Sequence, residues 1–384
     1  MKKCVAPLSS LVIDQRSKIA PCCAWSGRYT DINSNTTLNA AANLLNDYRS
    51  NAIKNKLDFT KSKSCSQCTN GSTQYIEHNS YADPNIDYII SPTITNLHLK
   101  VSNFCNLACR MCDPDSSSIL ATEQNKVYND SKHPNILRSL SIDSILYKSI
   151  LENLKNIKYL WCSGGEPLIH EEIWSIIDYC CNNDLAKNIV LKFNTNGTVV
   201  LKDHQIKQLV SFKEVYFDIS VDGIGDIGEY IRTKSNWNSW KINFDKYLEI
   251  SKNYTNINIR TNTAVSIFNV HVIDKLYNYF EKYRTEDFSV QGSYTPVHYP
   301  RELCVKNLPD AVKQELLQTT ISRKPYDFLS LLKANPDKDI NIKHHIDALD
   351  DTAIASNLYK NYKRFSEVDS EWYNKITNSV SNIT

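Results

Sequence analysis

Residues 101–115 read VSNFCNLACRMCDPD and hold Cys105, Cys109 and Cys112, spaced by three and then two residues. Three thiols so close together point to a metal centre, yet a closed zinc or iron–sulfur site takes four protein ligands. A set of three leaves one position open, and an open position is where a cofactor or substrate binds. The segment follows the β-rich run ITNLHLKV, so it reads as a loop leaving the carboxyl end of a strand. Taken alone, it also leaves open a zinc ion that borrows its fourth ligand from elsewhere in the chain.

Working outward, the texture from about residue 94 to residue 300 is an alternation. ITNLHLKV, IKYLWCSG, NIVLKFNTNG, VYFDISVDG, INIRTNTAV and DFSVQGSY read as strands, and segments such as HEEIWSIIDYCCNND and KDHQIKQLVSF between them have helical periodicity. About six strand–helix repeats predict a parallel α/β sheet or partial barrel. In such folds the loops at the carboxyl ends of the strands carry the chemistry, and the cysteine segment, SGGEP, TNGT and SVDG all fall there.

The composition excludes some classes. A formal net charge of +2 over 384 residues gives no electrostatic case for a nucleic-acid or anionic-membrane partner. No apolar run reaches the roughly 18 residues of a membrane-spanning helix. MKKCVAPLSSLVIDQRSK starts basic, but its apolar run is short and ends at Asp14, unlike a secretory signal. The expectation is a cytoplasmic protein, where twelve cysteines read as metal or catalytic groups rather than disulfides.

Together, CNLACRMC, with Met111 between the last two cysteines, then Gly164, Gly165, Glu166 and Pro167 at the second strand end, then SVDG at the fourth, resemble the radical SAM superfamily. The resemblance covers about residues 94–300. It implies a partial (β/α)6 TIM-like barrel and a [4Fe-4S] cluster on Cys105, Cys109 and Cys112. The open iron of that cluster is chelated by S-adenosylmethionine, and an electron from a reductant such as flavodoxin or ferredoxin cleaves the cofactor. The product is a 5′-deoxyadenosyl radical that abstracts hydrogen from substrate. The Gly164–Gly165 pair would let backbone approach the cofactor, Glu166 would accept from its ammonium group, and Ser220 and Arg232 would hold its carboxylate. Asn194 or Asn196 would reach the cofactor or substrate, with an Asn-Gly turn the plain reading of Asn196. Asp222 would bind ribose or shape its turn. Val265 and Asn269 are weaker candidates for the adenine.

Five further cysteines lie in residues 1–68. Cys4, Cys22, Cys65 and Cys68, with Cys23 able to replace Cys22, resemble the ligand pattern of an N-terminal twitch or SPASM-like domain. That resemblance implies a second, auxiliary [4Fe-4S] cluster; a structural four-cysteine zinc shares the CxxC spacing. The expected organisation is therefore an auxiliary iron–sulfur domain over 1–90, the barrel over 91–300 and a helical extension over 301–384. YKNYKRF at 359–365 is basic and aromatic and reads as a solvated helical face. The function expected is hydrogen abstraction from a peptide side chain or small polar molecule, with no membrane or nucleic-acid partner. Sulfur or methylthio transfer and a non-catalytic zinc-stabilised binding protein are the alternatives.

Overall fold

Each barrel strand of the chain alternates an apolar residue facing outward with a polar one facing inward. In the computed structural model, which describes residues 9–22, 30–46, 93–129, 133–284, 292–319 and 328–377, that alternation builds a curved sheet. Its strands are β1 (Ser10–Ile13), β2 (Lys18–Ala20), β3 (Thr30–Asp31), β4 (Asn96–Lys100), β5 (Tyr159–Ser163), β6 (Val190–Thr195), β7 (Glu214–Ser220), β8 (Ile257–Val265) and β9 (Ser293–Pro296). The order is β3-β2-β1-β4-β5-β6-β7-β8-β9, and β4 to β9 run parallel to one another. This is the expected six-stranded partial barrel. Its last strand lies at SYTP, at the end of the run expected for it; residues 285–291 fall outside the described residues.

Helices cover the outer face. They are α1 (Leu38–Asn43), α2 (Ser118–Tyr128), α3 (Ile145–Asn153), α4 (Glu171–Asn182), α5 (Asp203–Val210), α6 (Asp226–Ile231), α7 (Trp237–Asn253) and α8 (Ile273–Glu281). In α4, Ile173, Ile176, Ile177 and Cys180 recur at helical spacing and are buried, while Glu171 and Glu172 sit in the first turn, where the helix dipole favours them. Leu191, Phe193, Phe217 and Ile259 meet these helices from the sheet side, within one buried cluster. Helix α7 starts at Trp237, where the Asn236 side chain accepts from Ser239 N at 2.9 Å and caps it.

The N-terminal segment joins this sheet. β1 pairs parallel with β4, with Ser10 opposite Asn96 and Ile13 opposite Leu99, and β2 and β3 follow antiparallel. One sheet thus crosses the boundary expected at residue 90. Beyond β9, α9 (Asp310–Thr319), α10 (Leu329–Leu332), α11 (Ile342–Ser356), α12 (Phe365–Val368) and α13 (Ser370–Thr377) form the expected helical extension. They pack with β8 and α6 in a second core that includes Tyr230, Phe268, Phe365 and Trp372. YKNYKRF is not a helical face: residues 357–364 are turns and extended chain, and Tyr359 and Tyr362 point inward. Among the described residues no helix is long and apolar enough to cross a membrane.

Candidate active site

The cysteine loop leaves β4 and crosses the carboxyl end of the barrel to α2. Asn103 braces both of its ends, donating from Nδ2 to Pro114 O at 2.9 Å and accepting Leu137 N at Oδ1 at 2.8 Å. The Ser117 hydroxyl donates to Leu107 O at 2.7 Å. Ala108 N and Arg110 N donate to Thr233 O and Ile231 O at 3.0 and 2.8 Å, which fastens the loop to the end of α6. Behind it the Arg110 side chain is buried; its guanidinium donates to both Glu123 carboxylate oxygens at 3.3 Å and lies 5.4 Å from the Tyr359 ring centroid.

Cys105, Cys109 and Cys112 all line one cavity of about 470 Å³ at the barrel mouth. Cys105 and Cys109 are buried and Cys112 is exposed. The Cys105 sulfur accepts from Leu107 N at 3.4 Å and from Asn196 Nδ2 at 3.9 Å. Burial, then the neighbouring Cys109, pushes the Cys105 thiol up to about 12. The hydrogen bond between the other two lowers Cys109 and raises Cys112. Among the described residues no three His, Cys, Asp or Glu side chains converge to hold a single metal ion. Met111 packs against Cys105, Leu107 and Cys109 on the loop.

The two glycines have a requirement of their own. Gly164 and Gly165 take positive φ values of 84° and 53°. A Cβ at Gly165 would stand 2.1 Å from Phe104 O, and one at Gly164 would stand 2.8 Å from Lys100 Cβ. The close approach they permit is between the end of β5 and the start of the cysteine loop, and Glu166 N donates to Phe104 O at 3.0 Å. The Glu166 side chain is fully buried and accepts from Leu168 N, Thr195 Oγ1 and Asn196 N at 3.1, 2.8 and 2.7 Å. Burial raises its carboxyl to about 6 against the lowering by those donors. Glu166 thus clamps β5 to the loop after β6, and with Pro167 it stands behind the cavity wall, whereas Gly164 and Gly165 line it.

Asn194, Asn196, Ser220, Asp222 and Arg232 line the same cavity. The Asn194 Oδ1 accepts from Trp161 Nε1 at 2.7 Å. Arg232 Nη1 donates to Asp222 Oδ2 at 2.7 Å, and Ala264 N donates to Asp222 Oδ1 at 2.7 Å. Arg232 Nε is buried and has no hydrogen-bond partner among the described residues. Burial lowers the affinity of Arg232 for its proton, but Cys109 and Asp222 beside it more than reverse this and raise it. Val265 lies in the core, and Asn269 spends its amide on Asp222 O and Ala264 O at 2.8 and 2.9 Å, so it shapes the Asp222 turn.

Below the cavity the barrel interior is charged. Lys192 Nζ and Arg260 Nε reach the two oxygens of Asp218 at 2.7 and 2.9 Å. Trp161, on the cavity wall, stacks on His98 at 3.9 Å and sits 4.8 Å from Lys192 Nζ. The β1–β2 turn also reaches the site: Gln15 lines the cavity, and its Nε2 donates to Asp115 O at 2.8 Å. Arg16 pairs with Asp115. Of the N-terminal cysteines only Cys22 is described, half-buried; Cys4, Cys23, Cys65 and Cys68 lie outside the described residues.

A parallel α/β partial barrel with three thiols lining a cavity at its carboxyl end defines a cofactor-dependent class of enzyme fold. Residues 99–274 match the model of the radical SAM superfamily, so the chain carries a radical SAM domain over those residues. Uncharacterized protein MJ0907 of Methanocaldococcus jannaschii is 28% identical over 195 residues, which cover 50% of this chain and 61% of that protein. Mycofactocin maturase MftC of Mycolicibacterium smegmatis is 27% identical over 136 residues, covering 35% of this chain and 29% of that one. The matches thus span less than two thirds of either relative. Among solved structures, native anSMEcpe with bound AdoMet overlays with a TM-score of 0.37 at 20% identity, covering 53% of this chain and 52% of that one. Streptococcus suis SuiB bound to precursor peptide SuiA overlays with a TM-score of 0.33 at 12% identity, covering 98% and 80%.

Proposed function

We propose that this chain is a radical SAM enzyme of the maturase type, which abstracts hydrogen from a peptide side chain or small polar substrate. The observation that carries the reading is the convergence of Cys105, Cys109 and Cys112 with Ser220 and Arg232 on one cavity. The donor set fits the cofactor. Three thiols leave an iron site open, and the buried Nε of Arg232 has no acceptor among the described residues, so it would suit a carboxylate. Ser220 and Arg232 would hold the cofactor's carboxylate, and Gly164 and Gly165 line the same cavity. Met111, Leu107 and the barrel wall keep water from the cluster. When bound, the cluster and S-adenosylmethionine supply one-electron cleavage of the sulfonium and hydrogen-atom abstraction.

The peptide class is supported by the maturase relative. We further propose that Cys4, Cys22, Cys65 and Cys68 hold an auxiliary [4Fe-4S] cluster in a unit spanning 1–90 whose first hairpin is attached to the barrel edge, and that a flavodoxin or ferredoxin supplies the electron. Anaerobic purification, reconstitution with iron and sulfide, and an iron count test this. About eight irons per chain are expected for two four-iron centres. Cys65→Ala is expected to keep cofactor cleavage and lose substrate turnover. Bound zinc with no cofactor cleavage would overturn the proposal.

A further inference from the structure

Among the described residues the upper layer of the barrel interior holds one cation without an ion-pair partner. Lys100 closes β4, opposite Ser163 on β5, and lines the cavity half-buried. Among the described residues the other cations facing the mouth or the layer beneath it each reach a carboxylate. Arg232 has Asp222, and Lys192 and Arg260 share Asp218. Glu214, at the far end of β7, accepts the Tyr216 hydroxyl at 2.5 Å. Among the described residues Lys100 has no carboxylate within ion-pair distance, and the layer below it adds two cations to one carboxylate. An ammonium group on a partly desolvated wall above a cationic layer favours an anion from outside the chain.

The cofactor's own carboxylate belongs elsewhere in the cavity. Ser220 and Arg232 lie at and beyond the end of β7, three strands from β4 in the sheet order. At about 4.8 Å per strand that is roughly 14 Å along the curved sheet. The flat face of Trp161 and the amide of Asn194 lie on the strands between.

We propose that the cavity takes a substrate bearing a carboxylate, an acidic side chain or terminal carboxylate of a peptide, and that Lys100 holds it across the mouth from the cofactor. This rests on the reading of the cavity as the substrate site, and it is tested without turnover. The reconstituted full-length protein is labelled with acetic anhydride, and acetylation of Lys100 is followed by mass spectrometry against the exposed Lys187. The probes are N-acetylglutamate methylamide for a side-chain carboxylate, N-acetylglutamine as the free acid for a terminal one, and N-acetylglutamine methylamide for neither.

At least one acidic probe is expected to slow labelling of Lys100, and which one does so identifies the source of the carboxylate. The neutral amide and S-adenosylmethionine alone are expected to leave the rate unchanged. Lys100→Met is expected to weaken binding of the effective probe about tenfold, the worth of one charge-assisted contact. Protection by the neutral amide equal to that by the acids, or protection by S-adenosylmethionine alone, overturns the proposal. Absence of 5′-deoxyadenosine under reducing conditions would instead sink the enzymatic reading and leave this binding result standing.

Discussion

Two arginines flank Cys109, and they are built for opposite ends. On the back of the loop, Arg110 is 2% exposed, shares both Glu123 oxygens and two contacts to Ala108 O, and is faced by Tyr359 and Tyr362 from the C-terminal segment. On the front, Arg232 has, among the described residues, one carboxylate, Asp222, and a buried Nε with no partner. Burial works against the charge of both, and neighbouring groups restore it in both, raising each above its ordinary range. The difference lies in what remains to be satisfied. A saturated cation holds the fold; an unsaturated one beside a cavity awaits a ligand.

The comparison breaks first on the back side. Arg110→Met leaves the Glu123 carboxylate buried without its partner, and a loss of about 3–5 kcal/mol is expected in chemical denaturation of the apoprotein. A double variant, Arg110→Met with Glu123→Leu, removes both charges and is expected to regain most of that. If the single variant melts like wild type, the clamp is not structural.

Glu166 comes next, because it too is saturated and buried. Its folded carboxyl is raised from 4.5 to about 6, so the fold favours the protonated form. Its contribution is fully present below pH 4.5 and is lost as pH rises through 6. At about 1.4 kcal/mol per unit this is worth about 2 kcal/mol. Relative to Glu166→Gln, wild-type apoprotein is expected to lose that stability across the window and then run parallel; a constant difference from pH 4 to 8 would contradict it.

On the front side, Arg232→Lys keeps the charge but not the planar fork. Binding of S-adenosylmethionine to the reconstituted protein is expected to weaken about tenfold in calorimetric titration, close to 1.4 kcal/mol, with the apoprotein melt little changed. Equal affinity would move the cofactor's carboxylate away from Arg232. The smallest effect is at Tyr359→Phe, which deletes the hydroxyl bonded to Glu123. About 1 kcal/mol of stability is expected to go, with the cofactor affinity kept.

Much of this was legible in the sequence, and the reasons differ by region. The six barrel strands show as period-two runs because one face of each is apolar against helices and the other polar. The cysteine spacing, SGGEP and SVDG mark strand ends, and the structure gathers them on one cavity. The task of Glu166 was hidden because its three donors lie in loops that only tertiary folding brings near. Arg110 and Tyr359 are 249 residues apart, and no local periodicity links them. The alternation did hold the signal for Lys100: it shares parity with His98 in β4, as Trp161 does with Ser163 in β5. The joining of β1 to β4 was not visible, since a four-residue apolar run does not name its partner strand.

The most direct test of the central claim is the product of cofactor cleavage. Anaerobically reconstituted wild-type protein, given reductant and S-adenosylmethionine, is expected to form 5′-deoxyadenosine and methionine, and Cys112→Ala is expected to form neither. Equal amounts of 5′-deoxyadenosine from wild type and Cys112→Ala, or none from well-reconstituted wild type, would contradict the assignment of the three-cysteine loop as the site of radical generation.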